Sequence, residues 1–255
     1  MKHPVYAAAL ALSLLFGAAS VRSEELRIAV AANFLSTMQQ LEHEFEAATN
    51  HDIAIIAGST GLLYAQIRNG APFDILLAAD QQRPDLLAED GYGDPAGVFT
   101  YAIGRLALWS ADAERVSEQG LEQLETEPFR WLAIAEPKIA PYGIAAQQTQ
   151  QHLGVWDALQ SRIVKGQNVA QAFAMADTGN AELGFVALAQ VLARGGESSF
   201  VIVPEDAHEP IRQDAIVLSR AVGKPVASAF VEYLKSQEAA AIIERSGYRF
   251  PVTAN

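Results

Sequence analysis

The sequence contains no cysteine, and this absence bears on the compartment in which the protein works. The chain begins with the basic residues Lys2 and His3, an apolar run, VYAAALALSLLFGAA, and a small-residue segment. This order is typical of a secretory signal peptide, which we predict over residues 1–23, with cleavage after Ser23 or, alternatively, after Ser20. An exported chain without cysteine has no disulfide and no thiol for a diacylglyceryl anchor. We therefore expect free protein in the periplasm.

Basic residues are scarce: 18 lysines and arginines stand against 30 acidic residues, which gives a net charge of −12. Cleavage after Ser23 would take away Lys2 and Arg22 but no acidic residue, so the exported chain would carry −14. Nucleic acids and anionic lipids need basic surfaces, so we predict neither a nucleic-acid partner nor direct membrane insertion. Short-range hydrogen bonds would have to hold a small anion against the negative electrostatic potential of this protein.

A flexible linker is also missing, and so are repeats and low-complexity segments. Apolar strand-like runs alternate with helix-like segments, first through RIAVAA, HDIAIIAG and FDILLAAD and again from WLAIA onward. Such alternation predicts α/β lobes, each with a mainly parallel sheet flanked by helices. Two series without a linker predict two lobes joined by crossing strands, with a ligand in the cleft between them.

The segment Gly58-Ser59-Thr60-Gly61 places two hydroxyl groups between glycines, at a junction from a strand to a helix. The next basic residue is Arg68, so the lysine of a nucleotide-type phosphate loop is missing. A nucleophile elbow requires glycine two residues before and two residues after the serine, and Ser59 does not have both. The glycines allow a ligand to approach the backbone closely.

Four predicted helix starts, two from each α/β series, have free backbone N–H groups at the positive ends of helix dipoles. A cleft that closes on them would surround a small anion with amide and hydroxyl donors. Alternatively, the polar residues at these starts only cap their helices. The four junctions are Ala32-Asn33, Ser59-Thr60, Pro141-Tyr142-Gly143 and Asn168-Val169.

The aspartates and histidines of the sequence do not predict a catalytic site or a metal site. Asp74 and Asp80 bracket an apolar strand, and we favour hydrogen bonding at the strand ends over acid–base catalysis. The histidines are scattered, which argues against a zinc site or a catalytic triad. They are His3, His43, His51, His152 and His208.

Five segments together resemble the periplasmic molybdate-binding proteins of molybdenum ABC importers, over nearly the whole exported chain. They are IAVAANFLSTMQQLEHEFEAATNHDI, GSTGLLYAQIRNGAPFDILLAAD, FTYAIGRLALWS, IAEPKIAPYGIAAQQ and ELGFVALAQ. The resemblance implies a two-lobed, type II Venus-flytrap fold with molybdate or tungstate bound between the lobes. We place lobe 1 at residues 24–105 with 214–255, and lobe 2 at residues 106–213.

The resemblance also implies which residues bind the oxyanion. Asn33 would donate from the first helix start, and Thr60 would donate its hydroxyl and its amide, with Ser59 as a neighbouring donor. Tyr142 and Val169 would donate backbone N–H groups from the second lobe, the tyrosine side chain being incidental. Molybdenum or tungsten would be held only as the oxyanion, through these residues.

Two positions depart from the pattern of the family. Ala32 belongs to the predicted site, but it cannot supply the side-chain hydroxyl that some members have there. Other members place a tyrosine hydroxyl in the site from the position of Ala187, so a side-chain donor is replaced or absent here.

The resemblance further implies a monomer that binds molybdate or tungstate with high affinity and delivers it to an inner-membrane ABC permease complex. It implies no enzymatic activity and no cofactor. One alternative is a binding protein for another small oxyanion, such as sulfate or phosphate. The other is an exported serine hydrolase that uses Ser59 or Thr60 as its nucleophile, although no neighbouring base is evident.

Overall fold

The structure is a computed structural model, and it describes residues Glu25 to Pro251. The predicted signal peptide and both predicted cleavage positions lie outside the described residues. Within Glu25–Pro251, no helix is both long enough and apolar enough to cross a bilayer.

Ten strands and ten α-helices follow one another between residues 25 and 251. The strands are β1 (Glu25–Ala31), β2 (Asp52–Gly58), β3 (Ile75–Leu77), β4 (Phe99–Gly104), β5 (Leu106–Ser110), β6 (Leu132–Ala135), β7 (Ile163–Gly166), β8 (Leu183–Ala187), β9 (Ser199–Ile202) and β10 (Ile211–Val217). The helices are α1 (Leu35–Ala48), α2 (Thr60–Arg68), α3 (Gln82–Glu89), α4 (Gln123–Thr126), α5 (Pro141–His152), α6 (Trp156–Leu159), α7 (Val169–Asp177), α8 (Leu188–Arg194), α9 (Pro225–Leu234) and α10 (Gln237–Arg245).

The strands form two five-stranded sheets of the same design. The first has the order β2-β1-β3-β10-β4, and the second has the order β7-β6-β8-β5-β9. In each sheet the first three strands are parallel, and the fourth is antiparallel to both of its neighbours. The predicted fold of two mainly parallel, helix-flanked lobes is therefore confirmed, with one antiparallel strand inside each sheet.

The central strands are buried, as parallel strands covered by helices on both faces must be. In β1, Leu26, Ile28 and Val30 are fully buried, and they pack with α1 residues such as Met38 and Leu41. A strand covered on both faces by helices needs such a nearly continuous apolar run. Apolar residues recur along α1 at helical spacing, so one apolar face of this helix packs on the sheet.

Two short connections cross between the sheets. Arg105 alone separates β4 of the first sheet from β5 of the second, and residues 203–210 lead back from β9 to β10. Because β10 begins at Ile211, the predicted return to lobe 1 at residue 214 falls inside this strand. The division of the chain into lobes at residues 105 and 214 remains a prediction from the sequence.

Candidate functional site

A small cavity lies between the two lobes, at the ends of strands from both sheets. It is narrow: the volume open to the centre of a water-sized molecule is about 10 Å³, far less than in sites that bind organic ligands. Among the described residues that line it, none has a charged side chain. They are Ala31, Ala32, Asn33, Gly58, Ser59, Thr60, Ala79, Ala140, Pro141, Tyr142, Asn168 and Val169.

All four predicted helix starts meet at this cavity. A short 3-10 helix that begins at Ala32 leads into α1, and α2, α5 and α7 begin at Thr60, Pro141 and Val169. The first N–H groups of a helix have no acceptor within the helix, and the helix dipole makes this end positive. The cavity is therefore a neutral but electropositive environment, formed by two helix starts from each lobe.

The two hydroxyl groups of the Gly-Ser-Thr-Gly segment have different local roles. Ser59 caps α2, because its Oγ accepts the N–H of Leu62 at 3.4 Å. Thr60 is fully buried, and its Oγ1 accepts the N–H of Ala79 at 3.0 Å. Both oxygens thus act as acceptors toward the protein, and each hydroxyl retains a proton that it can donate to a ligand.

Asn33 corrects the sequence interpretation at the first helix start. The alternative interpretation was that Asn33 only caps its helix, but Ala31 occupies the cap position and Asn33 makes no capping hydrogen bond. Instead, its Nδ2 donates to Gln213 Oε1 at 2.9 Å and to Tyr248 Oη at 3.2 Å. Because these buried acceptors engage the amide group, Asn33 can offer the cavity its backbone N–H rather than its side chain.

Tyr142 has a structural role that the sequence did not reveal. Its backbone lies in the first turn of α5, as predicted, while its buried side chain reaches across to lobe 1. There Gln213 Nε2 donates to Tyr142 Oη at 3.4 Å. Burial raises the pKa of the Tyr142 phenol well above its usual value, so the phenol stays neutral.

Gln213 links this interlobe contact to the interior of lobe 1. Its Oε1 accepts from Asn33 Nδ2 and lies 3.1 Å from Tyr101 Oη, which also donates to the carbonyl of Ala78 at 2.9 Å. Tyr248 Oη completes the group by donating to the Asn33 carbonyl at 2.6 Å. The sequence analysis did not single out Gln213, whose burial and partners follow from its place in β10.

Asn168 and Val169 form the fourth helix start. Asn168 Oδ1 accepts the N–H of Gln171 at 3.0 Å, so its side chain is a true N-cap of α7. Val169 is buried at the cavity and has its backbone in the first turn. Capping and ligand donation are compatible here, because the cap uses an amide oxygen and leaves the N–H of Val169 free of an acceptor in its helix.

The two alanines that depart from the family pattern lie in different places. Ala32 lines the cavity, where its methyl group adds no polar contact. Ala187 ends β8, is fully buried and does not line the cavity. Its N–H donates to Gln190 Oε1 at 3.1 Å. The donors available at this cavity therefore include backbone amides and the hydroxyls of Ser59 and Thr60.

The aspartates flanking β3 have structural partners. Asp74 accepts from Lys224 Nζ at 2.9 Å and from the N–H of Arg27 at 2.9 Å, and it lies 3.3 Å from Arg220. Asp80 pairs with Arg83. These contacts agree with the expectation that the two carboxylates act at strand ends. Across residues 25–251, no group of three or more acidic, histidine or cysteine side chains could hold a metal ion.

Comparison with known proteins places this architecture in a family. Residues 26–249 match the family described as bacterial extracellular solute-binding protein. The chain belongs to this family. It is 45% identical to the molybdate-binding protein ModA of Azotobacter vinelandii over 234 residues, which cover 91% of this chain and 92% of the relative. It is 43% identical to ModA of Rhodobacter capsulatus over 243 residues, or 95% of each chain.

A solved structure extends the comparison to the fold of this solute-binding protein. The periplasmic molybdate-binding protein of Azotobacter vinelandii superposes with a TM-score of 0.85 at 42% identity, covering 89% of this chain and 99% of that one. The type II, two-lobed fold expected from the sequence resemblance is therefore shown by structure as well.

Proposed function

We propose that this protein binds molybdate or tungstate in the interlobe cavity and delivers it to an ABC transporter permease. The observation that carries the proposal is the meeting of four helix starts, two from each lobe, around a small cavity without charged side chains. The similarity to two molybdate-binding proteins supports the same ligand. The protein acts as a carrier, without a cofactor and without catalysing a reaction.

The proposed donors come from both lobes. Lobe 1 supplies the backbone N–H groups of Ala32 and Asn33, the hydroxyl of Ser59, and the hydroxyl and N–H of Thr60. Lobe 2 supplies the backbone N–H groups of Tyr142 and Val169. The metal is bound only through the oxygens of its oxyanion.

Discrimination among anions follows from the chemistry of these donors. Molybdate and tungstate carry four acceptor oxygens and no proton at neutral pH, so each oxygen can accept hydrogen bonds from the donors that line the cavity. Protonated phosphate would bring a hydroxyl into a site made of donors, and a buried unpaired donor is costly. Sulfate has no proton either, but its shorter bonds would leave it out of reach of donors fixed on two closed lobes.

The alternatives fit the site less well. A binding protein for sulfate or phosphate would share the fold. Only the smaller size of sulfate and the proton carried by phosphate argue against these ligands. A serine hydrolase needs a base beside Ser59 or Thr60. Among the residues that the structure describes around the cavity, none is a histidine, lysine, aspartate or glutamate.

The proposed function includes a location in the periplasm and a permease as partner. The N-terminal sequence pattern and the similarity to a periplasmic protein support a periplasmic location. A monomer whose lobes close on the ion presents the permease with a shape that differs from the open form. The permease complex is the proposed protein partner.

Calorimetric titration of the purified protein tests the ligand. We expect molybdate and tungstate to bind with a Kd below about 1 μM, equivalent to about −8 kcal/mol, because several buried donors act together. Sulfate and phosphate should compete only weakly. Equal competition by either anion would remove the molybdate assignment while leaving the fold intact.

The affinity for molybdate should be nearly constant between about pH 7 and about pH 9, since none of the described lining residues is an acid, a lysine, an arginine or a histidine. The phenol of Tyr142 is the one ionisable side chain among the described lining residues, and burial raises its pKa further above its usual value. Its neutral form therefore persists throughout this range. A steep change in Kd across the range, measured by competition titration, would show that a titrating group contributes to binding.

A further inference from the structure

A direct backbone contact joins the two lobes beside the cavity. The N–H of Gly61, in the first turn of α2, donates to the carbonyl of Ile139 at 2.9 Å. Gly61 lies in lobe 1, and Ile139 lies in the segment of lobe 2 between β6 and α5. Neither residue lines the cavity, so this contact is separate from the proposed ligand donors.

The contact requires glycine at position 61. A Cβ atom built there would lie 2.9 Å from the Ile139 carbonyl oxygen, 3.0 Å from its Cα and 3.1 Å from its Cβ. Two of the three atoms belong to the backbone, so rotation of a side chain cannot relieve the crowding. Any larger residue would hold the lobes apart at this point.

Both partners are held rigidly close to the ligand donors. Gly61 follows Thr60 directly, and Ile139 precedes the helix start that contains Tyr142. The turn around Ile139 is fixed because the N–H groups of Ile139 and Ala140 both donate to the carbonyl of Glu136, at 3.2 and 3.0 Å. An ion that draws Thr60 and Tyr142 together therefore also brings the Gly61 N–H onto its acceptor.

We propose that the Gly61–Ile139 hydrogen bond is a closure latch, and that Gly61 is a positioning residue that couples ligand binding to lobe closure. As an early helix residue, Gly61 has no acceptor for its N–H within α2, so in an open form this group would face water. Closure gives it a protein acceptor. This inference rests on the proposed function, because it assumes an anion bound between the lobes.

The test is Gly61→Ala, compared with Gly97→Ala as a matched control. An added Cβ at Gly97 would meet no atom closer than 3.6 Å, and Gly97 lies away from the cavity. We expect Gly61→Ala to weaken molybdate binding by about tenfold or more, since its methyl group must displace backbone of the opposite lobe. Small-angle scattering should show less compaction on adding molybdate. Gly97→Ala should behave as wild type in both measurements.

Thermal unfolding separates a latch from a general structural role. Alanine favours a helix more than glycine does, so the ligand-free Gly61→Ala protein should melt no lower than wild type. Only the rise in melting temperature caused by molybdate should shrink. A ligand-free protein that is destabilised as much as the complex would overturn the latch, as would unchanged affinity and compaction.

Hydrogen exchange in the wild-type protein gives a measurement that does not depend on the variant. The Gly61 amide, followed at single-residue resolution, should become protected when molybdate is added. Equal exchange with and without a bound ion would contradict the coupling. Failure of the wild type to bind any oxyanion in calorimetry would instead refute the proposed function, so the two failures are distinguishable.

Discussion

Gly104→Ala is expected to lower the free energy of unfolding by about 3 kcal/mol, toward the upper part of the range for overpacking. A Cβ atom at this position would lie 2.2 Å from Tyr142 Oη and 2.7 Å from Gln213 Nε2. Both groups are buried, and both belong to the hydrogen-bonded group that joins the lobes. Urea denaturation monitored by circular dichroism measures the loss.

The position of Gly104 makes this change more disruptive than an ordinary core substitution. Gly104 ends β4, and only Arg105 separates it from β5 of the other lobe. The phenol of Tyr142 comes from lobe 2 and lies against this crossing point. Displacing it would disturb the relative position of the lobes as well as the packing, so we also expect weaker binding of molybdate.

A double-mutant cycle identifies the cause. Tyr142→Phe removes the atom nearest to the new methyl group and keeps the backbone N–H that we assign to the ligand. The double variant Gly104→Ala/Tyr142→Phe should therefore be more stable than Gly104→Ala alone, although Gln213 Nε2 still crowds the site. Strictly additive losses would show that the phenol does not cause the destabilisation.

Much of the fold was predictable from the sequence because it depends on local patterns. Apolar runs such as that of β1 need cover on both faces, and helix-like segments follow them in regular alternation. The glycines and hydroxyls at residues 58–61 and the proline at Pro141 mark helix starts in the same way. The meeting of four such starts required only that two lobes close on each other.

The remaining features depend on contacts between residues that are distant in sequence. Asn33 looked like a helix cap, but its amide binds Gln213 and Tyr248, which are 180 and 215 positions away. Gly61 looked like part of a ligand loop, although its N–H donates to Ile139 of the other lobe. Local patterns show which groups a residue has available, whereas the fold decides which partner is near enough to use them.

Thr60→Ala should weaken molybdate binding by about 1–3 kcal/mol, which corresponds to roughly a 5- to 150-fold increase in Kd. The variant removes a hydroxyl that is fully buried at the cavity. It also deprives the N–H of Ala79 of its acceptor at 3.0 Å, so part of the cost is an unpaired buried donor in the protein itself. Calorimetry gives the change in Kd. Thermal unfolding without ligand shows how much the variant destabilises the ligand-free protein.

Thr60→Ser is the matched control, because it keeps the hydroxyl and removes only a methyl group. If the hydroxyl donates to the ion, serine should retain most of the affinity that alanine loses. Ser59 already caps α2 through the N–H of Leu62, so the helix does not need Thr60 for capping. An unchanged Kd in Thr60→Ala would therefore mean that the hydroxyl serves only Ala79, and that backbone amides bind the anion at this helix start.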